Sequence, residues 1–423
     1  MSCVSLDPRA VIADLDELAA QSGGRFAGAK RLAWTPEWMR ARVWLTAKLT
    51  DSGLEPERDQ AGNLWAPVAG EREDFMIVGS HIDAVPDGGW LDGALGLMTA
   101  LETVRQLSRS GVTPPIGVRF VDWADEEGAR FGRSLIGSSA CARNLNPDDV
   151  RGLQDANGVT LADGLAGCGV DLDGASAAAE RLEGAVAYLE LHIEQGPVLL
   201  DGARLASAVS GTVGVQRHLI TFVGQAAHAG STPMRLRQDS LAAAARASLA
   251  IRASAIAHNG VATVGRMQST PGVITAVAGR TEMQLDQRHL DSSELAAMLA
   301  EALDACQSAA EEWGCTVEVR NVFSVPPTPF DAALVEMARA SVEQAGGGAH
   351  EPIPSGPLHD ATEIGRVVPT AMIFAQSDPP ISHAAIEDSS ERALSVAIDA
   401  YGRTVNQVLA RVGEITSQGV GRA

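Results

Sequence analysis

Four short apolar runs, each leading directly into histidine or acidic residues, constrain this chain more than any other feature. "DFMIVGSHID" (74–83) ends at His81 and Asp83, and "IGVRFVDWADEEG" (116–128) at Asp125, Glu126 and Glu127. "VAYLELHIEQG" (186–196) carries His192 and Glu194, and "PTAMIFAQSDPPISH" (369–383) leads to His383. A continuous apolar run bounded by polar and glycine-rich residues reads as a strand buried on both faces. Helical stretches lie between the runs, such as Leu91 to Ser110. Strands alternating with helices predict an α/β fold with a mixed, mostly parallel sheet. In such sheets ligands bind outside the carboxyl ends of the strands. Polar residues gathered at four strand ends are what one site along that edge requires.

The middle of the chain has a different order. A strand is expected near 213–223, a helix at 239–258, strands at 261–267 and 273–288, a helix at 292–313 and a strand at 316–323. That β-α-β-β-α-β order is the ferredoxin-like split unit. The chain is 423 residues long, more than one compact domain usually holds. We therefore expect a discontinuous domain formed by 1–212 and 328–423, with 213–327 inserted. The proline-rich "SVPPTPF" (324–330) reads as the return linker.

Composition narrows the partners. A formal net charge of −20 argues against a nucleic-acid footprint, which is basic. The five cysteines, Cys3, Cys141, Cys168, Cys306 and Cys315, form no CxxC pair, so neither a disulfide framework nor a structural zinc knuckle is expected. The first twenty residues lack a basic region followed by an apolar core, and no apolar stretch approaches the ~20 residues that span a bilayer. The expected setting is the cytoplasm, with no membrane partner.

Taken singly, a histidine after a strand is more often a structural residue, and "DEE" more often a solvated turn. Taken together, His81, Asp92, Glu127, His192 and His383 offer two ligand shells that share a carboxylate. Imidazole with carboxylate suits borderline divalent metals. Two such ions about 3.5–4 Å apart need a bridging carboxylate, an arrangement used by hydrolases. Asp92 can bridge, because glycines around it allow a tight turn. Asp83 is placed to orient the His81 ring.

At this level the sequence resembles a known family. "GSHIDAVPDGGWLDG", "DEEGARFG", "LELHIEQGP", "GQAAHAGSTPM", "LDQRH", "SGPLHDA" and "ISH" occur in order between residues 79 and 383. They are similar to the signature blocks of the M20 metallopeptidase-like amidohydrolases. Within these they resemble the branch of N-carbamoyl-L-amino-acid hydrolases, β-ureidopropionases and allantoate amidohydrolases. The resemblance implies a di-metal catalytic domain with an inserted dimerisation, or lid, domain, acting as a homodimer. It makes Asp92 the bridging ligand, with His81 and His192 on one metal and Glu127 and His383 on the other. Glu126 becomes the general base. Gln195 contacts the carbamoyl amide, whose donor and acceptor a carboxamide matches. His228 reaches the partner subunit's site and stabilises the oxyanion, Arg288 clamps the substrate carboxylate, and His359 lies in or near the pocket.

Three departures fall on the substrate side. Thr275, in "TAVAG", stands where the family often has an asparagine that touches the substrate carboxylate. Pro357 and Leu358 occupy positions that are normally small, and "DPPISHAA" replaces a more usual glycine before His383. The metal ligands match. The implied reaction is metal-dependent hydrolysis of the carbamoyl C–N bond of an N-carbamoyl-L-amino acid, with Zn, Mn, Co or Ni all acceptable. Alternatives are an allantoate-type amidohydrolase, an N-acyl-amino-acid or dipeptide hydrolase, and a catalytically silent binding protein. His192 and Gln195 weigh against the acyl reading, and an intact Glu126 against the silent one.

Overall fold

The computed structural model describes residues 4–411; Cys3 lies outside them. The chain divides into two compact units, 1–211 with 330–423, and 212–329. The inserted unit thus begins one residue before, and ends two residues after, the range read from the sequence.

The larger unit is a mixed sheet with helices. Its principal strands lie in the order Leu64–Val68, Gly117–Trp123, Phe75–His81, Ala185–Ile193, Thr370–Ala375 and Ala206–Thr212. The middle four are parallel, and the flanking strands pair antiparallel to them. These four are the apolar runs singled out above. Phe75–His81 is buried at every residue, as expected of a strand covered on both faces. The register aligns the four exits: His81 lies opposite Trp123, and His192 opposite Phe374. Side chains just past these positions are therefore delivered to one edge.

The helix expected from Leu91 runs from Ala94 to Ser110. Leu91, Asp92 and Gly93 instead form the turn into it. Gly93 has φ 63°, and a Cβ there would collide with the His81 ring. A side chain at this position would displace the histidine, so glycine is required.

The smaller unit has strands Gly214–Val223, Val261–Thr270, Arg280–His289 and Thr316–Val325, with helices Ser240–Ala257 and Ser292–Glu312. Asp239 and Asp291 cap the two helices by accepting backbone N–H groups of the first turn. The strands are antiparallel, in the order Thr316–Val325, Gly214–Val223, Arg280–His289, Val261–Thr270. The single strand expected over 273–288 is interrupted. Pro271 and Gly272 turn the chain, Ala276–Val277 makes a short ladder with Ala227–His228, and the long strand starts at Arg280. Apolar alternation runs across this break, and only the turn chemistry marks it.

Among the described residues no helix is long and apolar enough to cross a membrane. Cys141, Cys168, Cys306 and Cys315 are free thiols.

Candidate active site

The strand exits of the larger unit bring His81, Asp92, Glu126, Glu127, His192 and His383 into one cluster. Asp92 is central. Its Oδ1 lies 3.2 Å from His192 Nε2 and 3.8 Å from His81 Nε2. Its Oδ2 lies 3.4 Å from His383 Nε2, which is itself 3.3 Å from Glu127 Oε2. Two groups result, His81–Asp92–His192 and Asp92–Glu127–His383, each with ligand atoms within 4.8 Å of one another. One carboxylate oxygen faces each group.

The imidazoles are set to offer lone pairs. His81 Nδ1 is 3.2 Å from the Asp83 carbonyl and His192 Nδ1 is 2.9 Å from the Ile193 carbonyl. Nδ1 donates there, which turns Nε2 toward the cluster; against burial, the neighbouring carboxylates raise both rings above an ordinary histidine, and a divalent ion would take the place of the Nε2 proton. His192 Nε2 accepts the Gly93 N–H at 3.2 Å. His81 Nε2 is buried without a hydrogen-bond partner, and so is Glu127 Oε1. Buried polar atoms are nearly always satisfied. Orphaned donors beside a shared carboxylate therefore fit divalent cations, whose nitrogen and oxygen ligands sit at about 2.0–2.2 Å for zinc.

Burial competes with the neighbouring charges throughout the cluster. It would raise the Asp92 carboxyl, but His192, His81 and His383 outweigh it and hold Asp92 well below the usual range. Burial pushes Glu126 and Glu127 well above it, against the pull of the His81 imidazole. Glu126 Oε2 lies 3.7 Å from His81 Nε2. It is a buried carboxyl poised to hold a proton. Asp125, which donates no ligand, is raised to about 8 by burial and by the Asp83 charge, despite the Trp34 indole bond at 2.6 Å.

The backbone at the exits is unusual. Asp125, Gln195 and His383 have φ of 59°, 61° and 55°. Left-handed conformations at non-glycine residues cost of order 1–3 kcal/mol each and cluster at functional sites. Asp83 supports the acidic pair directly: its carboxylate accepts the N–H groups of Glu126 and Glu127, both at 3.2 Å. It meets the His81 ring mainly through its carbonyl, its carboxylate being 3.6 Å away.

Gln195 reaches the cluster, its Nε2 2.9 Å from Asp92 Oδ2. His359 is buried against the His192 ring, with centroids 4.5 Å apart, and its Nε2 meets Ser355 Oγ at 3.0 Å. Burial lowers it well below an ordinary histidine, so the ring is neutral. Pro357, just upstream, accepts the same serine's hydroxyl at 2.8 Å.

The other singled-out residues lie on the smaller unit. His228 is exposed, its Nδ1 accepting the N–H groups of Gly230 and Ser231. Arg288 Nε donates to Asp286 Oδ1 at 2.8 Å, and Arg217 also holds Asp286. Thr275 is exposed, its carbonyl accepting the Ala229 N–H.

Several participants were not anticipated. Glu387 accepts the N–H groups of Leu91 and Asp92 at 3.2 and 3.0 Å, and the Ser382 hydroxyl at 2.6 Å. Burial raises it to about 7. Arg31 is buried and donates to the Ile82 carbonyl at 2.7 Å, between His81 and Asp83. Glu190 is buried and accepts the hydroxyls of Ser80 and Tyr188, both at 2.9 Å. The available signal for Glu387 was its spacing, four residues after His383.

A buried carboxylate dividing its oxygens between two imidazole-bearing groups, at the carboxyl edge of parallel strands, defines an α/β protein with a candidate metal centre. The chain belongs to peptidase family M20/M25/M40, whose model matches residues 77–407. It is 33% identical, over 93% of its length and 96% of the relative's, to an N-carbamoyl-L-amino acid amidohydrolase of Geobacillus stearothermophilus. It is 30% identical to an allantoate amidohydrolase of Bacillus subtilis, over 92% and 95% of the two chains. A crystal structure of a hydantoinase/carbamoylase family amidase from Burkholderia multivorans superposes with a TM-score of 0.86 at 30% identity, covering 96% of this chain and 98% of that one.

Proposed function

We propose that this protein is a metal-dependent amidohydrolase that cleaves the carbamoyl C–N bond of an N-carbamoyl-L-amino acid. The observation that carries the reading is Asp92, with one oxygen toward His81 and His192 and the other toward His383. The family and the names of the relatives support hydrolysis of amide-type C–N bonds. In this reading the larger unit is the catalytic domain, and the smaller is the lid through which two subunits pair.

His81, His192 and Asp92 would hold one divalent ion, and Asp92, Glu127 and His383 a second. Such ions supply Lewis-acid polarisation of the carbonyl and a water acidified towards a pKa of about 7. Glu126 takes a proton from the attacking water as the water oxygen bonds to the carbamoyl carbon. It returns the proton to the amino-acid nitrogen as the C–N bond breaks, and the carbamic acid formed decays to carbon dioxide and ammonia. Burial suits Glu126 to this exchange, because it brings a carboxyl closer to working pH. His228 of one subunit donates to the developing oxyanion in the other, a contribution of ~3–4 kcal/mol for such donors. Arg288 binds the substrate carboxylate, Gln195 the ureido group, and Thr275 and His359 border the substrate.

The test is release of the free amino acid from a panel of N-carbamoyl, N-acetyl and dipeptide substrates, and of ammonia from allantoate. It should use the chelated protein and the same protein reloaded with Zn, Mn, Co or Ni. Carbamoyl amino acids should be hydrolysed best, and only after reloading. Activity that survives verified metal removal, or a preference for another substrate class, would contradict the proposal.

A further inference from the structure

The hydrogen bonds around Gln195 determine which way its carboxamide faces. Its backbone N–H donates to Ser377 Oγ at 3.0 Å, fixing the residue just past the strand Ala185–Ile193. Its Nε2 lies 2.9 Å from Asp92 Oδ2 and 3.1 Å from Ser382 Oγ. A carboxylate oxygen only accepts, so the amide nitrogen must be the atom on the Asp92 side. Ser382 alone would leave the choice open, since a hydroxyl both donates and accepts. Glu387 removes that freedom. Its Oε2 is 2.6 Å from Ser382 Oγ, against 3.1 Å from Ser382 to Asp92 Oδ2. The serine proton therefore goes to Glu387, and the serine oxygen is free to accept from Gln195. Glu387 is itself anchored, its Oε1 taking the N–H groups of Leu91 and Asp92. A Cβ on Gly89 would occupy the space of this carboxylate, so the approach is close.

The consequence falls on the other end of the carboxamide. The Gln195 amide group is committed to Asp92 and Ser382, while Oε1 is buried and has no hydrogen-bond partner among the described residues. An unpaired buried acceptor is destabilising unless a donor reaches it.

The geometry points to Ser382 and Glu387 as positioning residues that lock Gln195 with its oxygen as an acceptor, so that the site selects a substrate with an N–H donor on its scissile carbonyl. The terminal amine of a carbamoyl group meets that need. The methyl of an acetyl group has nearly the same size and leaves Oε1 unpaired. Sites built to hydrogen-bond a substrate group reject analogues that lack it far more strongly than apolar pockets reject a methyl. This inference rests on the carbamoyl-hydrolase reading of the same site. Without the Ser382 oxygen, Gln195 loses one of the two contacts that orient it, and the discrimination weakens.

The experiment compares kcat/KM for the N-carbamoyl and N-acetyl forms of one L-amino acid. It uses the metal-loaded full chain as wild type, Ser382→Ala and Ser382→Thr, with metal content measured for each. We expect the wild type to favour the carbamoyl substrate. Ser382→Ala should lower that preference by about tenfold, the size of one hydrogen bond, and Ser382→Thr, which keeps the hydroxyl, should restore most of it. A merely structural role would lower both substrates together and leave the ratio unchanged. That result would overturn the positioning role and leave the carbamoyl-hydrolase reading standing. A wild type that does not favour the carbamoyl substrate would overturn that reading, and this inference with it.

Discussion

In the larger unit the strand Phe75–His81 is buried along its whole length; in the smaller, Val261–Thr270 alternates between exposed and half-buried residues. The difference decides where polar side chains can act. A parallel strand covered on both faces offers polar residues only its end. There they are buried, and burial without partners is costly. His81 Nε2 and Glu127 Oε1 show that cost left unrelieved by the protein itself. In the antiparallel unit, charged residues near solvent find partners. Asp286 is held by Arg288 and Arg217, and His258 by Glu294 and Glu301. Among the described residues the buried carboxylate oxygens without a partner, Asp125 Oδ1, Glu127 Oε1 and Asp360 Oδ2, all lie in the larger unit, whereas the unpaired buried atoms of the smaller unit, such as His218 Nδ1 and Gln287 Oε1, include no carboxylate oxygen. Both candidate metal groups among the described residues lie in the larger unit.

Three substitutions probe that contrast, in decreasing order of expected effect. Glu126→Gln, in the buried cluster, removes proton transfer and keeps nearly the same shape. Turnover should fall ~10²–10⁴-fold while metal content, read by elemental analysis, stays constant. Near-wild-type turnover would remove Glu126 from the role of base. Arg288→Ala, in the smaller unit, should lower kcat/KM by the equivalent of ~2–5 kcal/mol, the range for truncating one partner of a hydrogen-bonded charge pair. The loss should be much smaller for a substrate whose carboxylate is replaced by a neutral amide. Equal losses on both would mean that Arg288 supports structure and does not read the carboxylate. Glu387→Ala should weaken divalent-metal affinity ~10–100-fold, as is typical for residues that hold metal ligands in place. Titration against a chelator would measure it, and unchanged affinity would show that the turn carrying Asp92 holds without this carboxylate.

How much of this was legible in the sequence depends on how local each signal is. The four buried strands were legible because uninterrupted apolar runs such as Phe75–Val78 leave few alternatives. The gathering of His81, Asp92, Glu127, His192 and His383 follows once those runs are placed parallel. Their register then does the rest. The βαββαβ order of the smaller unit was legible from two long helical stretches set between strands. The break before Arg280 was not, since apolar alternation continues through it. Glu387, Ser382 and Arg31 were not legible for a different reason. Each acts on a segment remote in the chain; Glu387 holds Leu91 and Asp92. Glu387, beside Asp388 in "SHAAIEDSS", looks like any solvated acid until those turns meet.

The central claim is that Asp92 joins two metal ions at the buried edge of the larger unit. Anomalous diffraction from crystals of the protein loaded with zinc or manganese tests it most directly. The account predicts two peaks per chain about 3.5–4 Å apart, one beside His81 and His192 and the other beside Glu127 and His383, with Asp92 between them. A single peak in a fully active crystal preparation, or peaks that leave Asp92 without a metal contact, would contradict it.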